Sequence, residues 1–169
     1  MLNMRNNDHL DSIHIELQDI PDHHPAKLFY DYWERIKGDK DLPLRHDLIP
    51  PEIPSILPYI ILLEAKFHNG RQDYFDRLEG EGIIEICGAS DSKKFISEIM
   101  PKDKFEKRHK EFVMIGETKT PLFEMGHISY LDKAYIKVVR GAFPFSKEGD
   151  TADYFILILA RADAQIMGR

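Results

Sequence analysis

The chain has 169 residues, enough for one ordinary domain that closes a single hydrophobic core without staples. At 43% hydrophobic and 31% charged it is neither disordered nor fibrous, and a net charge of −6 leaves no surplus of lysine and arginine for a nucleic-acid backbone. A lone cysteine, Cys87, excludes an internal disulfide and a multi-cysteine metal site, and suits a reducing compartment.

Residues 1–24 form a polar leader, expected to be flexible, with disorder over its first half. The weak alternation of Ile13, Ile15, Leu17 and Ile20 allows it an edge strand or a contact with a partner. Acidic residues and the lack of an apolar core rule out a signal peptide. No apolar run is long enough for a bilayer, so a cytoplasmic protein without membrane contact is expected. Pro25 opens a helix that Gly38 closes, and Leu28, Phe29, Tyr32, Trp33 and Ile36 share one stripe of it. That stripe holds the only tryptophan and must bury, as a cap on the domain or as a homodimer contact. Prolines 43, 50, 51, 54 and 58 then make residues 39–58 a rigid crossing with one helical turn near Pro51.

Residues 59–67 and 72–79 read as strands around Asn69-Gly70, the strongest short hairpin signal. A two-residue loop pairs Lys66 with Asp73 and Ala65 with Tyr74, and sets Ile61 opposite Leu78 and Arg77 opposite Leu62. Arg77 is then expected to bridge to Glu64 rather than enter a cavity. A brief helix follows from Gly80 to about Ile86, ended near Gly88, then a polar loop and a short helical piece over residues 95–100. Asp103 and Glu106 form a capping-box-like start for a helix reaching about Ile115. Strands over residues 121–130, 134–145 and 153–162 finish the chain, joined by Asp132-Lys133 and by residues 147–150. The last strand is apolar on both alternating faces, so both faces of the sheet must be covered. The order divides the chain into the leader, a cap helix with its crossing at 25–58, and an α+β core at 59–163.

Trp33, the Leu42-Pro43-Leu44-Arg45-His46-Asp47 run, Pro50, Leu57-Pro58 and Tyr74-Phe75-Asp76-Arg77-Leu78-Glu79-Gly80 occur in a characteristic order. With Arg140-Gly141-Ala142-Phe143-Pro144-Phe145-Ser146, Gly149 and Asp153, the series resembles the bacterial family of small stand-alone PAS proteins. The resemblance spans nearly the whole chain. It implies a five-stranded antiparallel sheet in the order 2-1-5-4-3, short helices on one face and an N-terminal helical cap. It also implies a sensory or signalling module that binds a small ligand, docks a partner signalling protein, or both. The alternatives are a ligand-free interaction module and a small-molecule enzyme using His127 and Asp76 as acid and base.

Pairing the third and fourth core strands across Asp132-Lys133 puts Phe123, Met125, His127, Ile136, Val138, Arg140 and Ala142 on one face. That face has a pocket's composition, apolar with a few orienting polar groups. Phe95 and Phe112 close it from the helix side, and Tyr74 belongs to the same expected ligand site. A buried Arg140 needs an anion, which is either an internal carboxylate or a ligand carboxylate or phosphate. His109 faces the apolar side of its helix, where haem-binding PAS proteins carry an axial histidine, but one histidine is a thin basis for iron. The sequence around Cys87 lacks the run that flavin-binding PAS relatives carry. No catalytic motif and no metal-ligand spacing occurs, so no cofactor, metal or catalytic residue is expected.

Overall fold

The computed structural model describes residues 12–130 and 134–167. Asn69 and Gly70 adopt the positive φ values of 51° and 82° that a two-residue hairpin turn requires, joining β2 (Ile60–His68) to β3 (Arg71–Glu79). Near the turn Lys66 faces Asp73 and Ala65 faces Tyr74, as expected. Further out a bulge between Leu62 and Leu63 shifts the register, so Leu62 faces Leu78 and Ile61 faces Glu79, not Leu78. The bulge also removes Arg77 from its expected place opposite Leu62, and its guanidinium pairs with Glu64.

After the hairpin come α2 (Glu81–Cys87), α3 (Ile96–Ile99) and α4 (Lys102–Thr118), then β4 (Leu122–Tyr130), β5 (Ala134–Ser146) and β6 (Ala152–Arg161). Helix α4 starts behind Pro101 and runs past Ile115, with Asp103 in its first turn rather than at the cap. The Asp132-Lys133 turn lies outside the described residues. Tyr130 pairs with Ala134, which places three positions between the strands instead of the two expected. Every β4 side chain is therefore on the opposite face from the one predicted. Glu124 faces Arg140, while Phe123, Met125 and His127 share a face with Gly141, Val139 and Lys137.

The expected order of the five core strands is present as β3-β2-β6-β5-β4. A sixth strand, β1 (Ile13–Ile15), adds to the β4 edge through Ile13–Met125 and Ile15–Phe123 pairs. This is the edge strand that the alternation of Ile13 and Ile15 allowed, and the chain after it meets the core: Ile20 and His24 are buried, and Ile166 donates its N–H to the His23 carbonyl. The expected disorder of residues 1–11 lies outside the described residues.

Helix α1 (Pro25–Lys37) caps the sheet face carrying Phe143 and Phe145. Phe29 packs edge-on against Phe143 at 4.8 Å between centroids, and Trp33 is 1% exposed. The aromatic stripe is thus buried in its own chain, with Phe29, Tyr32 and Trp33 forming the cap, the first of its two expected roles. Ile36 is half-buried beside them. The crossing contains three 3-10 turns, Arg45–Asp47, Pro50–Glu52 and Leu57–Tyr59, and in the last two a proline fixes φ at the start without permitting a longer helix.

Strand β5 outruns β4, whose pairing stops at Leu122–Ala142. Beyond that point Pro144, which has no N–H to donate, presents its carbonyl to Trp33 Nε1 at 3.0 Å. Ser146 N–H reaches the Pro43 carbonyl at 3.0 Å, and Leu44 bridges to Ser146. The crossing and the cap thereby replace the missing strand.

Gly80 shows how tightly the crossing meets the core. A Cβ there would lie 2.3 Å from the Leu57 carbonyl oxygen, although the Gly80 backbone at φ −71° suits any residue. Gly80→Ala should cost about 1–3 kcal/mol through overpacking alone, read as a lower urea midpoint with unchanged slope.

His24 closes the junction of leader, cap and β6. Its Nδ1 accepts the Ala26 N–H at 3.1 Å, and its Nε2 lies 3.0 Å from the Arg161 carbonyl. Burial lowers its pKa below 6.5, against hydrogen bonds to the backbone at Arg161 and Ala160. A depressed folded pKa means that the unfolded chain takes the proton first, so stability is full above about pH 6.5 and falls as the solution is acidified. The urea midpoint should drop between about pH 7.5 and about pH 5.5, and His24→Asn, which keeps a capping oxygen, should flatten that drop.

Candidate functional site

The sheet face away from α1 receives α2, α3 and α4. Helix α4 presents Phe105, Arg108, Phe112 and Ile115 as its buried stripe, spacings of three and four residues on one helical face. Opposite them stand Ile61 and Leu63 from β2, Ile128 from β4, Val138 and Ala142 from β5, and Phe155 and Leu159 from β6. Between the layers is a cavity of about 40 Å³, lined by aliphatic side chains together with Cys87, Phe112, Arg108 and Arg140. One water needs roughly 10–15 Å³ of such space, so the cavity is sized for about three waters.

The two guanidinium groups meet one carboxylate. Glu124 Oε1 accepts from Arg140 Nη1 and from Arg108 Nη1 at 2.6 Å, and Arg108 Nη1 also donates to Glu111 Oε2 at 2.8 Å. Arg108, Arg140 and Glu124 are all buried. Two positive and two negative groups balance within the protein, which keeps the ions stable in a poorly solvated place. Burial pushes the Glu124 pKa up, but the Arg140 and Arg108 charges outweigh it and bring it down to about 2.

Of the predicted ligand residues, the structure brings Arg140, Val138, Phe112 and Tyr74 into this helix-side core. Phe123, Met125 and His127 lie on the other face, because of the one-residue difference in the β4–β5 pairing. Phe95 sits outside the cavity, stacked on His68 at 3.8 Å and against Phe75 at 5.1 Å. Tyr74 is fully buried, packs on Phe112 at 4.6 Å and lies 2.9 Å through its hydroxyl from His109 Nδ1. Burial holds its pKa up at about 12. His109 is therefore a half-buried hydrogen-bond partner of a tyrosine, and Cys87 is a buried thiol at the end of α2. Among the described residues, no group of three or more His, Cys, Asp or Glu side chains could hold a metal ion.

His127 and Asp76 cannot act as an acid–base pair. They belong to β4 and β3, with β5, β6 and β2 between them. Four interstrand steps put them on the order of 19 Å apart. Arg108 and Glu124 are the site residues that sequence reasoning missed. Arg108 was legible in principle, as the one charge within the 105–112–115 apolar stripe.

The PAS domain family model matches residues 21–154. The chain belongs to the PAS domain family. No curated protein matches it. The match takes in the α1 cap and crossing as well as most of the sheet, and the residues behind the PAS resemblance concentrate at the seam between them. Trp33, Pro43, Pro144 and Ser146 are joined there by backbone and indole hydrogen bonds, and Gly149 N–H donates to Ser146 Oγ at 2.7 Å. Arg140 alone of that series borders the cavity. The PAS signature in this chain is thus mainly a device for holding a helix on a sheet.

Arg140→Met should destabilise the unliganded protein by about 3 kcal/mol, since Glu124 keeps Arg108 but loses its other counter-ion in a buried setting. Acid should act on the same cluster. The depressed Glu124 pKa means that its stabilisation is complete above about pH 4.5 and lost as pH falls toward about 2. Arg140→Met should shrink that acid-dependent loss, measured by chemical denaturation across the range.

Proposed function

We propose that this PAS domain is a signalling module that works by docking another protein, with an interior packed for rigidity rather than kept open for a metabolite. One observation carries the reading. The cavity that Arg108 and Arg140 border is about 40 Å³, against roughly 300–1,000 Å³ for pockets that take small molecules, and both guanidinium groups already donate to Glu124. Binding information would then be read on the outer surface, through small changes in how helices pack on the sheet.

A small-ligand reading has its own support in the two guanidinium groups that border the cavity. A carboxylate or phosphate ligand would have to take Glu124's place between them and widen the cavity several-fold. A thermal-shift screen of small carboxylates, phosphates and aromatic acids, followed by native mass spectrometry, separates the two. A ligand at a hundred times its Kd adds about 2.7 kcal/mol, several degrees for a protein of this size. The packed interior predicts melting temperatures flat to within about 1 °C across the screen. A rise of several degrees for one chemical class, lost in Arg140→Met, would replace docking with ligand sensing.

A further inference from the structure

An open groove of about 910 Å³ lies between β1, the C-terminal end of α1 and the junction of α4 with β4. Of its aromatic lining, half-buried Tyr30 meets solvent, backed by the buried Trp33 and Phe123. Tyr30 and Trp33 lie with near-parallel rings at 6.4 Å, and Tyr30 meets Phe123 edge-on at 6.2 Å. Aromatic faces carry negative quadrupole density and attract cations. Helices α1 and α4 both end here, at Gly38 and Lys119, bringing the negative ends of two helix dipoles to one place.

The rim adds charge of the same sign. Glu34, Asp39 and Glu117 are exposed on it, without a lysine or arginine partner among the described residues. The three rim lysines are engaged within the chain: Lys37 on the carbonyls of Gly38 and Lys40, Lys40 on Asp47, and Lys119 on Asp41. Lys37 already demonstrates the preference of the lining, with its ammonium 5.9 Å from the centre of the Trp33 ring. The Tyr30 phenol is held above its usual pKa by burial and by the Glu34 charge. Along the groove runs β1, the last described strand of the sheet, paired on one side only and with Ile13 59% exposed.

We infer that this groove docks an extended, arginine- and lysine-rich segment of a partner protein, which adds to the sheet beside β1 and lays its basic side chains over Tyr30 and among Glu34, Asp39 and Glu117. Main-chain hydrogen bonds along an open edge supply affinity, and alternate side chains supply specificity. The negative rim and helix ends select a basic sequence over an acidic one and speed its approach. The inference deepens the docking function proposed above and rests on that reading.

The test uses the full chain and fluorescein-labelled peptides that alternate arginine with valine, followed by anisotropy and by emission of Trp33. The basic peptide should bind and change the emission of this single tryptophan, and the glutamate–valine counterpart should not bind. Glu34→Lys with Glu117→Lys should weaken binding at least tenfold, and Glu34→Gln with Glu117→Gln severalfold, in proteins whose melting temperatures are unchanged. A basic peptide N-methylated at alternate residues keeps its charge but cannot pair as a strand, and it should lose most of the affinity. Equal binding of the acidic peptide, indifference to both double variants, or full binding of the N-methylated peptide would overturn the groove. No binding of the basic peptide, beside an interior that answers no small molecule, refutes the groove and leaves docking in place. No binding beside a ligand that raises the melting temperature refutes docking itself.

Discussion

Strand β6 cannot be exposed on either face, and the rest of the fold answers to that constraint. Ile156 and Ile158 enter the core under α1, while Phe155 and Leu159 enter the core under α4. A sheet whose middle is apolar on both sides needs two covers, and this chain supplies both. The helix-side cover comes from the segment between β3 and β4. The other cover comes from before the sheet and has to be tied down by long-range contacts, which explains why so many are concentrated there. Trp33 on Pro144, Pro43 on Ser146 and Tyr32 on Glu52 all fix the cap and crossing to the sheet or to each other. Each is a hydrogen bond at a place where a backbone or phenolic group would otherwise be buried alone, so each is worth more than its own strength.

The second cover has a consequence for the interior. With α1 bearing on β5 from one side, α4 is pinned to β4 and β5 from the other through Arg108, Glu124 and Arg140. A buried ionic cluster is seldom a net gain over an apolar core, but breaking it is expensive, so it fixes one arrangement against its near neighbours. Here the arrangement leaves a cavity of about 40 Å³ beside the two arginines. The pin and the narrow cavity are two aspects of one packing choice.

Much of this was legible in the sequence. Element order, the cap helix and the register near Asn69-Gly70 all follow from periodicity and turn chemistry, and the strand order came with the PAS resemblance. What escaped has definite physical causes. A bulge at Leu62/Leu63 leaves no mark in composition, so the far end of the hairpin slipped by one. The β4–β5 connection has no Asn-Gly or Asp-Gly to fix its length, and a single residue there decides which face carries His127 and which carries Glu124. That slip hid the acidic partner of Arg140, although an internal carboxylate was among the expected answers. Arg108 was hidden differently: His109 beside it drew attention as a ligand type, while the charge on the buried stripe was one position earlier. The alternation of Ile13 and Ile15 allows an edge strand without requiring one. Three residues suffice for β1, since β4 already offers a formed edge to pair with.

Interior and groove are not independent, because two elements belong to both. Phe123 and Glu124 are consecutive in β4, so one side chain joins the aromatic lining while the next holds the two arginines on the opposite face. Arg108 and Thr118 belong to the same helix, with the Arg108 contact in its first half and the groove at its end. A rigid helix about 1.5 Å long per residue carries a tilt at Arg108 to its C-terminus some 15 Å away. Both sites are thus built on shared elements, since β4 is continuous over Leu122–Tyr130 and α4 over Lys102–Thr118. A packed, pinned interior makes that linkage stiff, and stiffness is what the strand docking proposed for that edge would draw on.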